Sequence, residues 1–437
     1  MNGTGLDWVA SAGRALSGEH DIPGDKSVSH RAIMFAALAD GISHVDGFLE
    51  GEDTRATEAI FRAMGVRIEA PAPTRRIVHG VGIDGLDAPA APLDCGNAGT
   101  AMRLLAGLLS GQRFDSVLVG DASLSQRPMR RVMTPLRRMG AVIESDDDQT
   151  PPLRVRGGRA LQAIDFASEI ASAQVKSAIL LAGLYADGET VVREPRPTRD
   201  YTERMLAEFG WPVRHVAGEV RLRGGHRLRA TDVPVPGDFS SAAFLVVAAT
   251  LVPGSDLLLK SVGVNVRRTG LLHVLRAMGA DIEEVDRRRE GGEAVADLRV
   301  RHAALSGIEV PERHVPDMID EFPILAIAAA CAAGTTVVRG AEELRVKESD
   351  RIRAMALGLH ALGIRVEETA DGAVIHGGRL GGGQVESFGD HRVAMAFAVA
   401  AQMAQAPVRI RDVGNVATSF PGFDARAREA GMDLRSA

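Results

Sequence analysis

The chain has 437 residues, 45% of them apolar and 25% charged, enough for two packed domains rather than one. A formal net charge of −6 and 4% aromatic residues exclude the basic field and the stacking platforms of a nucleic-acid binder. Two cysteines, Cys95 and Cys331, make neither a disulfide framework nor a C-x-x-C metal pair, so no metal or redox centre is expected from them. The first twenty residues lack a basic stretch followed by an apolar core, and no later apolar run is long enough for a bilayer. These features predict a cytoplasmic protein without a membrane segment.

In chain order, the first distinctive stretch is PGDKSVSHRAIMFAALADG, from Pro23, a polar start running into an apolar helix. It resembles the end of a P-loop but lacks the glycines of G-x-x-x-x-G-K-[ST]. Five more helices of this kind follow: GNAGTAMRLLAGLLSG, ASAQVKSAILLAGLYADG, GDFSSAAFLVVAATLVPG, MIDEFPILAIAAACAAG and GDHRVAMAFAVAAQMAQA. Apolar on all faces, they are predicted to be buried throughout, with chemistry confined to their polar ends. Between them runs a second repeated signal, a helix closing on a small residue and glycine before a strand: FRAMGVRIE (Gly65), LRRMGAVIE (Gly140), LAEFGWPVR (Gly210), LRAMGADIE (Gly279), LHALGIRVE (Gly363) and AREAGMDLR (Gly431). Each glycine sits where a helix end needs a left-handed residue. The six units divide three and three near Thr231 to Pro236, where prolines interrupt the pattern. Two three-unit domains would turn six helix N-termini, which favour anions, toward one gap.

The residues able to bind an anion lie at these helix starts. The first half carries Lys26, Ser27 and Arg31; Asn97, Gly99, Thr100 and Arg103; Arg127; Ser172, Gln174 and Lys176; and Arg199 with Tyr201. Hydroxyls, amides and guanidinium groups in this mixture suit a polyhydroxylated phosphate or carboxylate, although each cation alone reads equally as a solvated surface charge. The second half carries Lys347, Glu348 and Arg351 at a strand-to-helix turn, and Asp390, His391 and Arg392 before an apolar helix. Asp317, Asp320, Glu321 and Glu348 are the candidate proton-transfer groups, with Asp317 also readable as a helix cap behind Pro316.

Taken together, PGDKSVSHR, GNAGTAMR, GDASLSQRPM, ASAQVKSA, GDFSSAAF, MIDEFPILA, RVKESDR, DHRVAM and ATSFPGF resemble the 5-enolpyruvylshikimate-3-phosphate (EPSP) synthases, within the enolpyruvyl transferases. The resemblance implies an α/β (α+β) fold: a two-domain inside-out α/β barrel, each domain three βαβαββ units around buried parallel helices. Its domains would be 21–233, mainly for shikimate 3-phosphate, and 1–20 plus 234–437, for phosphoenolpyruvate and the catalytic carboxylates, with the site in the interdomain cleft. It implies a monomer that moves the enolpyruvyl group of phosphoenolpyruvate to the 5-hydroxyl of shikimate 3-phosphate, with phosphate released and no metal or cofactor used. Carried over by motif, the catalytic residues would be Asp320, Glu348 and Lys26. Shikimate 3-phosphate would meet Lys26, Ser27, Arg31, Ser172, Ala173, Gln174, Arg199, Tyr201, Asp320 and Lys347. Phosphoenolpyruvate would meet Lys26, Asn97, Gly99, Thr100, Arg127, Gln174, Glu348, Arg351, His391 and Arg392. Two further points follow from the resemblance: Thr418 stands where relatives often carry lysine, and glycine at Gly99 leans toward glyphosate sensitivity. The nearest alternative is the UDP-N-acetylglucosamine enolpyruvyl transferases, whose reactive cysteine position is Ala122 here.

Overall fold

A computed structural model describes residues 6–216 and 218–437. The described chain forms two compact units: a mid-chain unit, Gly24–Val235 with Glu290–Glu293, and a chain-end unit, Met1–Pro23, Pro236–Arg289 and Ala294–Ala437. Residues 1–5, which the expected second domain includes, lie outside the described residues. Each unit has its own hydrophobic core.

Twelve α-helices alternate between two roles. In the mid-chain unit they are α1 (Lys26–Leu38), α2 (Glu52–Ala63), α3 (Gly99–Ser110), α4 (Arg130–Arg138), α5 (Ala173–Gly183) and α6 (Tyr201–Glu208). In the chain-end unit they are α7 (Phe239–Leu251), α8 (Gly270–Met278), α9 (Phe322–Cys331), α10 (Arg351–Ala361), α11 (His391–Ala400) and α12 (Phe423–Ala430). The odd-numbered helices are the apolar ones. All thirteen residues of α7 are buried, as are all ten of α11. Helices α7, α9 and α11 pack pairwise, and α3 packs on α5. The even-numbered helices are amphipathic and cover the core, as their mixed composition requires.

The six repeats share one sheet topology. In five of them the strand after the odd-numbered helix pairs with a parallel strand on one side, and in all six it pairs on the other side with the first of two antiparallel strands. Thus Ser116–Val119 runs parallel to Leu93–Asp94 and antiparallel to Leu153–Arg156, which pairs with Val142–Glu144. The repeat starting at α9 keeps two isolated parallel bridges, Ser306 to Ala333 and Glu309 to Val337, in place of the parallel strand. Two repeats of the chain-end unit are completed from the chain start: Ser17–Asp21 pairs with Asp256–Gly263, and Trp8–Ser11 lies between Val408–Arg411 and Asp433–Ser436. This α/β arrangement, helices inside and sheets outside in each unit, inverts the usual barrel.

The six glycines that close the even-numbered helices all have positive φ, from 80° at Gly210 to 126° at Gly431, as the sequence predicts. A further device recurs beside them. The residue three before the glycine hydrogen-bonds the carbonyl three after it: Arg62 to Ile68, Arg137 to Ile143, Arg276 to Ile282 and Arg428 to Leu434. His360 takes this role toward Val366, while Ala207 cannot. The clasp satisfies a carbonyl at the helix-to-strand turn and holds the corner that starts each hairpin.

Candidate active site

In the mid-chain unit, Asp25 caps α1 by accepting from the Val28 amide at 2.9 Å. This places Lys26 and Ser27 in the first turn, with the Lys26 ammonium 2.8 Å from Asp53 on α2. One turn on, Arg31 is buried; it donates to Thr202 at 2.8 Å, Ser177 at 3.0 Å and the Ser27 carbonyl at 3.0 Å. Burial pulls its guanidinium down to about 10, so it is still a cation at neutral pH. His30 beside it is fully buried, 2.7 Å from the Thr57 hydroxyl. Burial, then the charges of Lys26 and Arg31, keep it well below the usual imidazole range, so it is neutral.

Helix α3 begins at Gly99 without a side-chain cap. A methyl group at Gly99 would lie 3.1 Å from both Arg103 Nη1 and Arg127 Nη1, so the missing side chain lets two guanidinium groups approach one helix start. Arg103 donates to Gln174 at 2.8 Å, and Gln174 donates to Thr100 at 2.9 Å. Arg127 donates to Asn97 Oδ1 at 2.6 Å and to Ser123 at 3.1 Å, and Asn97 donates to Asp121 at 2.8 Å. Ser172 caps α5, Ala173 opens it, and Arg199 is half-buried just ahead of α6.

Two of these residues also bond within the unit. Tyr201 is buried, and its hydroxyl donates to Asp25 at 2.9 Å, so it steadies the α1 cap. Lys176 is buried between Glu194 and Glu203, at 2.8 and 2.7 Å.

In the chain-end unit a denser charge network surrounds α9, α10 and α11. Arg351, 1% exposed, donates to Asp320 at 3.2 Å, to Glu348 at 2.7 Å and to Asp390 at 2.8 Å. Burial opposes its charge, but Asp390, Glu348 and Asp320 outweigh burial and raise its pKa. Lys347 lies 3.6 Å from Asp320 and 3.2 Å from Glu343. Arg392 donates to the Asp320 carbonyl at 3.3 Å and lies 3.7 Å from Glu321, while His391 is buried at the first position of α11. Asp390 caps α11 through the Arg392 amide at 2.9 Å, so one carboxylate orders both arginines.

Asp317 does not cap a helix. It pairs with Arg267 at 3.3 Å inside a 3-10 helix, Pro316–Glu321, which precedes α9 and leaves Asp320 near its end. Thr418 is buried, its hydroxyl donating to the Asn415 carbonyl at 2.7 Å. Sequence reasoning missed Asp53 and Arg268. Arg268 is buried 3.2 Å from Asp238 and 3.9 Å from both Asp320 and Glu321. The adjacent arginines before the Thr-Gly start of α8 were the available signal.

Among the described residues, no group of three or more His, Cys, Asp or Glu is placed to hold a metal ion, and no helix is long and apolar enough to cross a membrane. Helix starts rich in cations, with three carboxylates on one buried arginine, suit transfer chemistry on an anionic substrate. The fold is that of the enolpyruvyl transferases: NikO from Streptomyces tendae matches all of this chain with a TM-score of 0.81 at 18% identity, covering 99% of its own length. An EPSP synthase structure from Acinetobacter baumannii matches with a TM-score of 0.89 at 50% identity, covering 99% of this chain and 100% of its own. The 3-phosphoshikimate 1-carboxyvinyltransferase of Xanthomonas campestris pv. campestris (strain 8004) is 67% identical over 99% of both chains, and that of Xanthomonas axonopodis pv. citri is 66% identical over 100% of this chain and 99% of its own. With residues 10–426 matching it, the chain belongs to the EPSP synthase (3-phosphoshikimate 1-carboxyvinyltransferase) family. The transferase reaction of that family lies in the shikimate pathway of aromatic amino acid biosynthesis.

Proposed function

We propose that the residues above divide the family's reaction between them. Lys26, Ser27, Arg31, Ser172, Ala173, Gln174 and Arg199 take shikimate 3-phosphate, and Asn97, Gly99, Thr100, Arg127, Arg351, His391 and Arg392 take phosphoenolpyruvate. Lys347 and Asp320 serve the reacting hydroxyl. The observation that carries the reading is the single guanidinium of Arg351 bonded to both Asp320 and Glu348. One fixed group thereby sets two carboxylates at a short, defined separation, as paired acid–base work requires.

In this reading the 5-hydroxyl oxygen bonds to carbon 2 of phosphoenolpyruvate, giving its proton to Asp320 while carbon 3 takes a proton from Glu348. Phosphate then leaves carbon 2 as carbon 3 returns its proton to Glu348, restoring the double bond in the product. Lys26 and Arg127 stabilise the phosphate as charge shifts onto it. The test is phosphate release from phosphoenolpyruvate with shikimate 3-phosphate or with UDP-N-acetylglucosamine as acceptor. Release with shikimate 3-phosphate alone is expected, and release only with the nucleotide sugar overturns the reading.

A further inference from the structure

The buried ammonium of Lys176 sits between two carboxylates whose side chains are 3% and 1% exposed. Burial alone would lower its pKa, but Glu203 and Glu194 together raise it, so the three groups form a charged cluster inside the mid-chain unit. The two glutamates bracket one segment. Glu194 follows the strand Glu189–Arg193, fixed by its amide on the Gly218 carbonyl at 2.9 Å, and Glu203 lies in the first turn of α6.

Everything between them bears on the proposed shikimate 3-phosphate residues. Thr198 donates its hydroxyl and, at 3.3 Å, its amide to the Glu194 carboxylate, immediately ahead of Arg199. Tyr201 reaches the α1 cap Asp25, and Thr202 accepts from Arg31 at 2.8 Å. The turn from Glu194 to Thr198 reads EPRPT; Pro195 and Pro197 have no amide hydrogen to offer, so side-chain anchoring must fix it.

We infer that Lys176 is a positioning residue for shikimate 3-phosphate: one ammonium ties down both ends of the segment that places Arg199, Thr202 and Tyr201. This rests on the functional reading above. Removing the pin frees Arg199 and the Thr202 support of Arg31, while Asp320, Glu348 and the phosphoenolpyruvate residues keep their bonds.

The test is steady-state kinetics of the full chain, with Lys176→Met, Lys176→Arg and Thr198→Val beside the parent. Lys176→Met is expected to raise KM for shikimate 3-phosphate at least tenfold, with KM for phosphoenolpyruvate and kcat at saturation both within threefold. Lys176→Arg should recover most of that loss. Thr198→Val, which leaves the buried cluster whole and folds even where Lys176→Met does not, should raise the same KM three- to fivefold. A fall in kcat at unchanged KM, both KM values rising together, or Thr198→Val matching the parent overturns the inference. If the parent itself releases no phosphate with shikimate 3-phosphate, the functional reading falls and takes the inference with it.

Discussion

In the mid-chain unit the hydrogen bonds that orient Arg31, Arg103 and Arg127 come from Thr202, Ser177, Gln174, Asn97 and Ser123, hydroxyls and amides that add no charge. In the chain-end unit Arg351, Arg392 and Lys347 face Asp320, Glu321, Glu343, Glu348 and Asp390. A neutral partner fixes a guanidinium without offsetting its charge, which suits binding an anion. A carboxylate partner offsets the charge but supplies a group that can move a proton. Under the proposed function this contrast would favour anion binding by the three mid-chain arginines and proton transfer beside Arg351, and it can be broken from either side.

The largest effect should come from removing proton-transfer groups. Asp320→Asn and Glu348→Gln are each expected to lower kcat by a factor on the order of 100 to 10,000. Shikimate 3-phosphate affinity, measured by calorimetry, should stay near that of the parent; near-normal turnover in either variant removes that residue's role. Next in size is the exchange of a neutral partner for a charged one. Gln174→Glu would set a carboxylate against Arg103 and into the shikimate 3-phosphate group, and should raise KM for that substrate about tenfold, or about 1.4 kcal/mol; no such rise removes Gln174 from the group.

A smaller change is expected of Gly99→Ala. Its methyl group would press on Arg103 and Arg127 at 3.1 Å, and guanidinium groups can shift by a few tenths of an ångström. KM for phosphoenolpyruvate should rise severalfold with an unaltered melting temperature. The smallest effect is on stability. His30 is held neutral in the folded chain below the ordinary value of 6.5, so only the unfolded chain takes up a proton there. Stability is therefore full above pH 6.5 and falls as the pH drops toward 5, by at most about 1.4 kcal/mol per pH unit. His30→Asn should flatten that slope in denaturant titrations at several pH values.

Local rules made much of this legible. The turn glycines and the all-apolar helices announce their conformation within a few residues, because a left-handed backbone and total burial each restrict what a position can hold. The cations at helix starts were readable for the same reason. What stayed hidden depends on partners far apart in the chain. Asp53 matters only because α2 brings it to Lys26, and Arg268 only because the end of the 3-10 helix brings Asp320 and Glu321 to it. The bonds of Tyr201 to Asp25 and of Lys176 to Glu194 and Glu203 were hidden for the same reason. Asp317 looked like a cap because Pro316 precedes it, but Arg267 offers that carboxylate a charge partner.

The strands supplied by the chain start also carry a consequence for synthesis. Trp8–Ser11 and Ser17–Asp21 emerge from the ribosome well before their partners, Asp256–Gly263, Val408–Arg411 and Asp433–Ser436. The stretch 24–235 can complete its three sheets from its own residues while these two strands wait. These strands are therefore paired long after they are made, and until their partners follow their edges are exposed to wrong pairing unless a chaperone or the nascent chain shields them.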